Sequence, residues 1–116
     1  MAVKQREVRD IVLLSLRGGF FGDTETDELE RALQAASDAG NLRCIVNLAE
    51  CESLNSVALG ALTRAYANYS RRGGEVKLCC LGKRLKDLFT MTKLIMVFDH
   101  HNTEEEAIAA FIPSSS

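Results

Sequence analysis

Hydrophobic and polar positions divide the chain into short segments of differing period. Val3 and Val8 bracket a polar stretch, residues 11–16 are almost wholly apolar, and Arg9-Asp10 lies between them. This pattern predicts two strands joined by a tight turn, the second well inside a sheet. Gly18, Gly19 and Gly22, with Phe20 and Phe21 among them, predict a loop. Asp23 or Thr24 then starts a helix whose apolar stripe is Leu29, Ala32, Leu33 and Ala36, ended by Gly40-Asn41. Residues 42–48 predict a strand and residues 49–54 a short loop. A second helix starts at Asn55 or Ser56 and buries Ala58, Ala61, Leu62, Ala65, Tyr66 and Tyr69. Arg71-Arg72 suit the negative end of that helix, and Gly73-Gly74 its left-handed cap. Val76, Leu78 and Cys80 alternate with Lys77, Cys79 and Leu81, which predicts a further strand. Gly82 precedes a short helix carrying Leu85, Leu88 and Phe89. Residues 94–98 predict the last strand, and Thr103-Glu104-Glu105-Glu106 reads as a capping box for a helix with Ala107, Ile108 and Phe111.

This order defines an α/β protein, with a single mixed β-sheet of four to five strands and about four helices packed against it. One domain is expected over residues 1–112. Pro113 stops the last helix, and residues 113–116 are expected to be a disordered tail. At 116 residues and 47% hydrophobic, the chain can bury a real core. Surface scaling gives about 18,500 Å² unfolded against about 6,300 Å² folded.

Lys plus Arg number 14 against 16 Asp plus Glu, for a net charge of -2. That balance argues against direct nucleic-acid binding or an anionic membrane as main partner. The charged N-terminal segment does not read as a signal peptide, and no apolar run approaches the length that spans a bilayer. A cytoplasmic protein without membrane insertion is expected. Cys44, Cys51, Cys79 and Cys80 form no C-x-x-C and have no histidine pair to complete a zinc site, so they read as buried free thiols. On one strand, Cys79 and Cys80 would point to opposite faces and could not readily bridge.

Little else carries chemistry. Asp99-His100-His101 occurs in certain metal-dependent phosphoesterases, but those sites need several more carboxylates and a larger chain. The triplet reads as a solvated loop. Gly18, Gly19 and Gly22 match neither G-x-G-x-x-G nor a P-loop, so nucleotide binding there is a minor alternative. Lys83, Arg84 and Lys86, with Arg71, Arg72 and Lys93 elsewhere, read as solvated faces. No catalytic residue, metal site or cofactor is expected.

The remaining feature is the passage into the second helix, Leu54-Asn55-Ser56-Val57-Ala58-Leu59-Gly60-Ala61-Leu62. It resembles the signature of the STAS domain family, anti-sigma factor antagonist type, in which an apolar residue precedes Asp-Ser-Ser/Thr-Gly-Leu-Gly. Ile45-Val46-Asn47-Leu48 before it, Arg72-Gly73-Gly74-Glu75-Val76 after its helix, and Leu88-Phe89-Thr90-Met91-Thr92-Lys93-Leu94 extend the likeness over residues 8–111. Asn55 stands where the family has Asp, Val57 replaces the second hydroxyl residue and Ala58 replaces Gly. In the first loop, Gly19-Phe20-Phe21-Gly22 stands for Gly-x-Leu-Asp, with Asp23 one residue later.

The resemblance implies a STAS fold and a regulatory binding module with no catalysis of its own. It places a phosphorylation site on Ser56. It implies as partners an anti-sigma factor that is also a Ser kinase, released when Ser56 is phosphorylated, and a Ser/Thr phosphatase that resets the cycle. The expected partner surface is Phe20, Phe21, Asp23, Asn55, Ser56, Val57 and Leu59 on a monomer or weak dimer. The alternative keeps the fold without phosphorylation, as a docking subunit of a lipid-transport ATPase complex or larger signalling assembly.

Overall fold

The computed structural model describes residues 2–112, and the tail expected from residue 113 onward lies outside them. Chain order is β1 (Val3–Val8), β2 (Ile11–Phe20), α1 (Thr24–Asp38), β3 (Arg43–Leu54), α2 (Ser56–Arg71), β4 (Glu75–Cys79), α3 (Lys83–Met91), β5 (His100–His101) and α4 (Glu104–Phe111). The strands form one sheet in the order β1-β2-β3-β4-β5. The hairpin β1-β2 is antiparallel, and every later pairing is parallel. The mixed α/β architecture expected from the residue pattern is therefore present, with five strands and four α-helices among the described residues.

Strand alternation assigns the two faces. Val12, Leu14, Leu16, Cys44, Val46, Leu48, Val76 and Leu78 meet Leu29, Leu33 and Ala36 of α1, Ala58, Leu59, Leu62 and Tyr69 of α2, and Leu85 and Phe89 of α3. Each fully buried leucine or phenylalanine here contributes about 1.5–3 kcal/mol by leaving water. The Tyr69 hydroxyl donates to the Leu33 carbonyl at 2.8 Å and fixes α2 against α1. On the other face, among the described residues, Ile11, Leu13, Ile45 and Cys79 receive only α4, through Ala107, Ile108 and Phe111.

That thinner face also carries charge. Lys77 is 5% exposed. Its ammonium donates to Asp99 at 2.6 Å and to Glu75 at 3.2 Å, and lies 4.7 Å from the centre of the Phe111 ring. Burial opposes the Lys77 charge, but the bonds to Asp99 and Glu75 outweigh it and raise its pKa. Glu104, at the start of α4, accepts from Arg6 of β1 at 2.6 Å and from Asn47 of β3 at 2.7 Å.

Several expectations are corrected. Residues 94–98 are not a strand: Leu94–Met96 is a 3-10 turn entered through Lys93 at φ 64°. Phe98 packs its ring edge-on against Tyr66 and Phe89, at centroid distances of 5.1 and 6.1 Å. A short apolar run has no period of its own, and a ring wedged between two others takes this one. The last strand is instead His100–His101, half-buried rather than a solvated loop, with His101 Nε2 2.9 Å from Asp99. Residues 18–20 and 49–54, read as loops, extend β2 and β3, with Gly18 against Cys51 and Phe20 against Leu54 across two register shifts. Of Gly73-Gly74, only Gly73 has a positive φ. Gly74 is required by close approach, because a Cβ there would lie 2.1 Å from the Leu42 carbonyl oxygen.

Candidate functional site

The extended β2-β3 ribbon delivers two segments to one place: the loop 21–23 into α1, and the start of α2. Asn55 joins them. Its N–H donates to the Phe20 carbonyl at 3.0 Å, and its Nδ2 donates to the Phe21 carbonyl at 2.7 Å. Its Oδ1 accepts from the Ala58 N–H at 3.0 Å, capping α2. Between the two expected caps, Asn55 takes the role, and the neighbouring Ser56 is exposed in the first turn of a 16-residue helix.

The facing loop is shaped by Gly22 at φ 87°. A Cβ at Gly22 would crowd Val57 side-chain atoms at 3.0–3.3 Å and bear the strain of the left-handed backbone, so glycine suits this turn against α2. The Gly22 N–H donates to Thr26 Oγ1 at 2.8 Å, a cap-like bond at the start of α1. Asp23 holds the N-cap position but makes no capping hydrogen bond with its side chain.

Of the expected surface, the structure brings Phe21, Asp23, Asn55, Ser56 and Val57 together at the outside. Phe21 is 55% and Val57 51% exposed; Val57 follows Ser56 on α2, while the Phe21 ring folds back over Gly19, and the two make an apolar rim at the outer edge of the junction. Phe20 and Leu59 are corrected: both are buried, Phe20 completely. Phe20 closes β2 opposite Leu54 on the core face, and Leu59 lies on the inward stripe of α2, so neither can touch a partner without unfolding the site. Gly22 was expected only as a loop glycine; its approach to Val57 of α2 is decided by the tertiary packing.

The arrangement offers a solvent-facing hydroxyl at a helix start, where the first N–H groups have no acceptor within the helix. It offers no phosphate cradle in the first loop, because Gly18 and Gly19 are paired in the ribbon. Among the described residues, no group of three or more His, Cys, Asp or Glu side chains is placed to hold a metal ion. His101 and Asp99 belong to the Lys77 cluster instead. Also among the described residues, no helix is long and apolar enough to cross a membrane.

The fold and the Asn55-Ser56 junction place this chain with small α/β domains built on one mixed sheet. It belongs to the STAS domain family, whose profile matches residues 2–107. A candidate anti-sigma factor antagonist of Bordetella bronchiseptica, BtrV, is 26% identical over 102 residues, covering 88% of either chain. Among solved structures, a candidate anti-sigma factor antagonist from Thermotoga maritima superposes with a TM-score of 0.86 at 18% identity, covering 93% of this chain and 92% of that one. The phosphorylated form of the Bacillus cell fate determinant SpoIIAA superposes with a TM-score of 0.76 at 19% identity, covering 95% and 99%. At these identities the structural likeness establishes the fold.

Proposed function

We propose that this chain is a single-domain, non-enzymatic binding module of the anti-sigma factor antagonist type, switched by phosphorylation of Ser56. The observation that carries this reading is the exposure of Ser56 at the start of α2, beside the exposed Val57 and joined through Asn55 to the loop of Phe21. A BtrV relative and a phosphorylated SpoIIAA neighbour support it. In the unmodified state the apolar rim docks on an anti-sigma factor that is also a Ser kinase. A phosphate adds about -1.5 to -2 charges at the centre of that contact. The free N–H groups at the helix start favour the phosphate in place, so the domain keeps its fold while the partner is repelled. A Ser/Thr phosphatase restores the binding form.

Asn55 supports the switch without the carboxylate usual at that position, because its amide holds both the helix cap and the loop carrying Phe21. The test is capture of partners from the source cells on Ser56→Ala and Ser56→Glu baits, with peptide mass spectrometry of the native chain. A kinase-fold partner retained by Ser56→Ala and lost from Ser56→Glu, together with phosphate on Ser56, is the expected result. Equal capture by both baits with Ser56 unmodified in growth and stress overturns the switch. It would instead indicate constitutive docking in a transport ATPase or signalling assembly.

A further inference from the structure

Two thiols meet where β4 ends. Cys79 closes the strand, in register with Asn47 of β3 and His101 of β5, and is buried beneath α4. Strand alternation would send Cys80 to the opposite face, and the structure corrects that expectation. Cys80 has φ 66°, in the left-handed region that residues with a Cβ rarely adopt. Its N–H donates to the His101 carbonyl at 3.0 Å, so the conformation is held by a backbone bond. The turn brings its side chain back beside Cys79, with the two sulfurs 3.3 Å apart. Cys79 is buried and Cys80 half-buried, so Cys80 is the member of the pair nearer to solvent.

We propose that Cys79 and Cys80 are an oxidation site, closed to a vicinal disulfide by hydrogen peroxide. The Cys80 sulfur attacks the peroxide O–O bond, takes one oxygen to become a sulfenic acid, and releases water. The Cys79 sulfur then attacks the Cys80 sulfur. An S–S bond forms, the S–O bond breaks, and the departing hydroxide leaves as water with the Cys79 thiol proton. Two thiols lose two electrons and two protons, and one hydrogen peroxide becomes two waters. A resolving thiol already in contact has a very high effective concentration, so closure outruns further oxidation of Cys80.

Adjacent Cα atoms lie about 3.8 Å apart, below the usual disulfide range, so the ring is strained and readily reduced. The site belongs with labile, reversible disulfides rather than structural ones. Burial pushes the Cys79 thiol up as it does those of Cys44 and Cys51, so the contrast lies in geometry: neither Cys44 nor Cys51 touches another sulfur in this way. Closure rearranges the packing beneath Ala107, Ile108 and Phe111, so α4 is the element that registers it.

The test is treatment of the folded, reduced chain with hydrogen peroxide, followed by denaturation, thiol alkylation and mass spectrometry. The expected product has lost two hydrogens, leaves two of the four cysteines unalkylated, and carries the linkage within the 79–80 peptide. A thiol reductant restores full alkylation. Cys80→Gly, which takes the left-handed conformation freely, abolishes the loss while the chain stays folded, and Cys51→Ser leaves it unchanged. Sulfinic acid on Cys80 with Cys79 still free, a Cys80-linked dimer, or four unreacted thiols beside a fully oxidised free-cysteine control would each overturn the proposal.

Discussion

Asn55 holds three segments with one side chain and its own backbone: the end of β2, the loop at Phe21 and the first turn of α2. Asn55→Ala removes the cap and the loop tether, and is expected to cost about 1–2 kcal/mol. Thermal denaturation would read this as a fall of roughly 4–8 °C per kcal/mol. Asn55→Asp separates the two roles. Its carboxylate can still cap α2 but cannot donate to the Phe21 carbonyl, so a loss of about 1 kcal/mol is expected at neutral pH. Chemical denaturation of the two variants apportions the roles: an Asn55→Asp chain as stable as the native one would show that the Phe21 tether contributes nothing.

At the scale of elements, the junctions carry constraints that side-chain pattern does not display. Gly74 lies where the chain leaves α2 for β4, pressed on the Leu42 carbonyl, whose oxygen accepts from the Glu75 N–H at 2.9 Å. Gly74→Ala is expected to cost about 1–3 kcal/mol by overpacking. Gly40→Ala has open space around it and bears only the left-handed strain, roughly 1 kcal/mol. Chemical denaturation of the two variants checks the order.

Helix α4 answers to pH. Burial alone would raise the Glu104 pKa, but the bonds from Arg6 and Asn47 outweigh it and hold the carboxylate below its usual range. Asp99 is lowered likewise, burial being outweighed by Lys77 and His101. Both groups bind fewer protons folded than unfolded. Their contribution is complete above the unfolded carboxylate pKa of about 4 and is lost as pH falls through the lowered folded values. Hydrogen exchange is expected to show α4 losing protection in that acid window before α2 does. Glu104→Gln should flatten the α4 response; an unchanged response would remove Glu104 from the account.

For the whole molecule, the sheet is unequally covered. Three helices rest on one face and one on the other, so a change confined to the α2 start does not reach most of the core. Ser56→Glu is therefore expected to move the melting temperature by no more than about 2 °C, a fraction of a kcal/mol. A larger drop would mean that charge at this site acts by unfolding rather than by altering the surface.

Element order was legible in the sequence because burial imposes its own period. The stripe Ala58, Ala61, Leu62 and Tyr69 could face a core only as a helix, and Asn55 before it could cap only that helix. Whether Asn55 or Ser56 would cap it stayed open until the bonds of Asn55 to Ala58 and Phe21 gave Asn55 that role. Chain neighbours alone also fixed the tight turn at Arg9-Asp10 and the glycine stop at Gly40. What tertiary structure decided were matters of partnership. Gly18-Gly19-Phe20 looks like a loop until residues 49–54 pair with it, and that pairing buries Phe20 and leaves Phe21 outside. Residues 94–98 look like a strand until Phe98 finds Tyr66 and Phe89. Cys79 and Cys80 look divergent until the bond to His101 holds Cys80 left-handed. Local period states which side of an element is apolar; only the surface it meets determines where the element ends and which of two adjacent side chains reaches solvent.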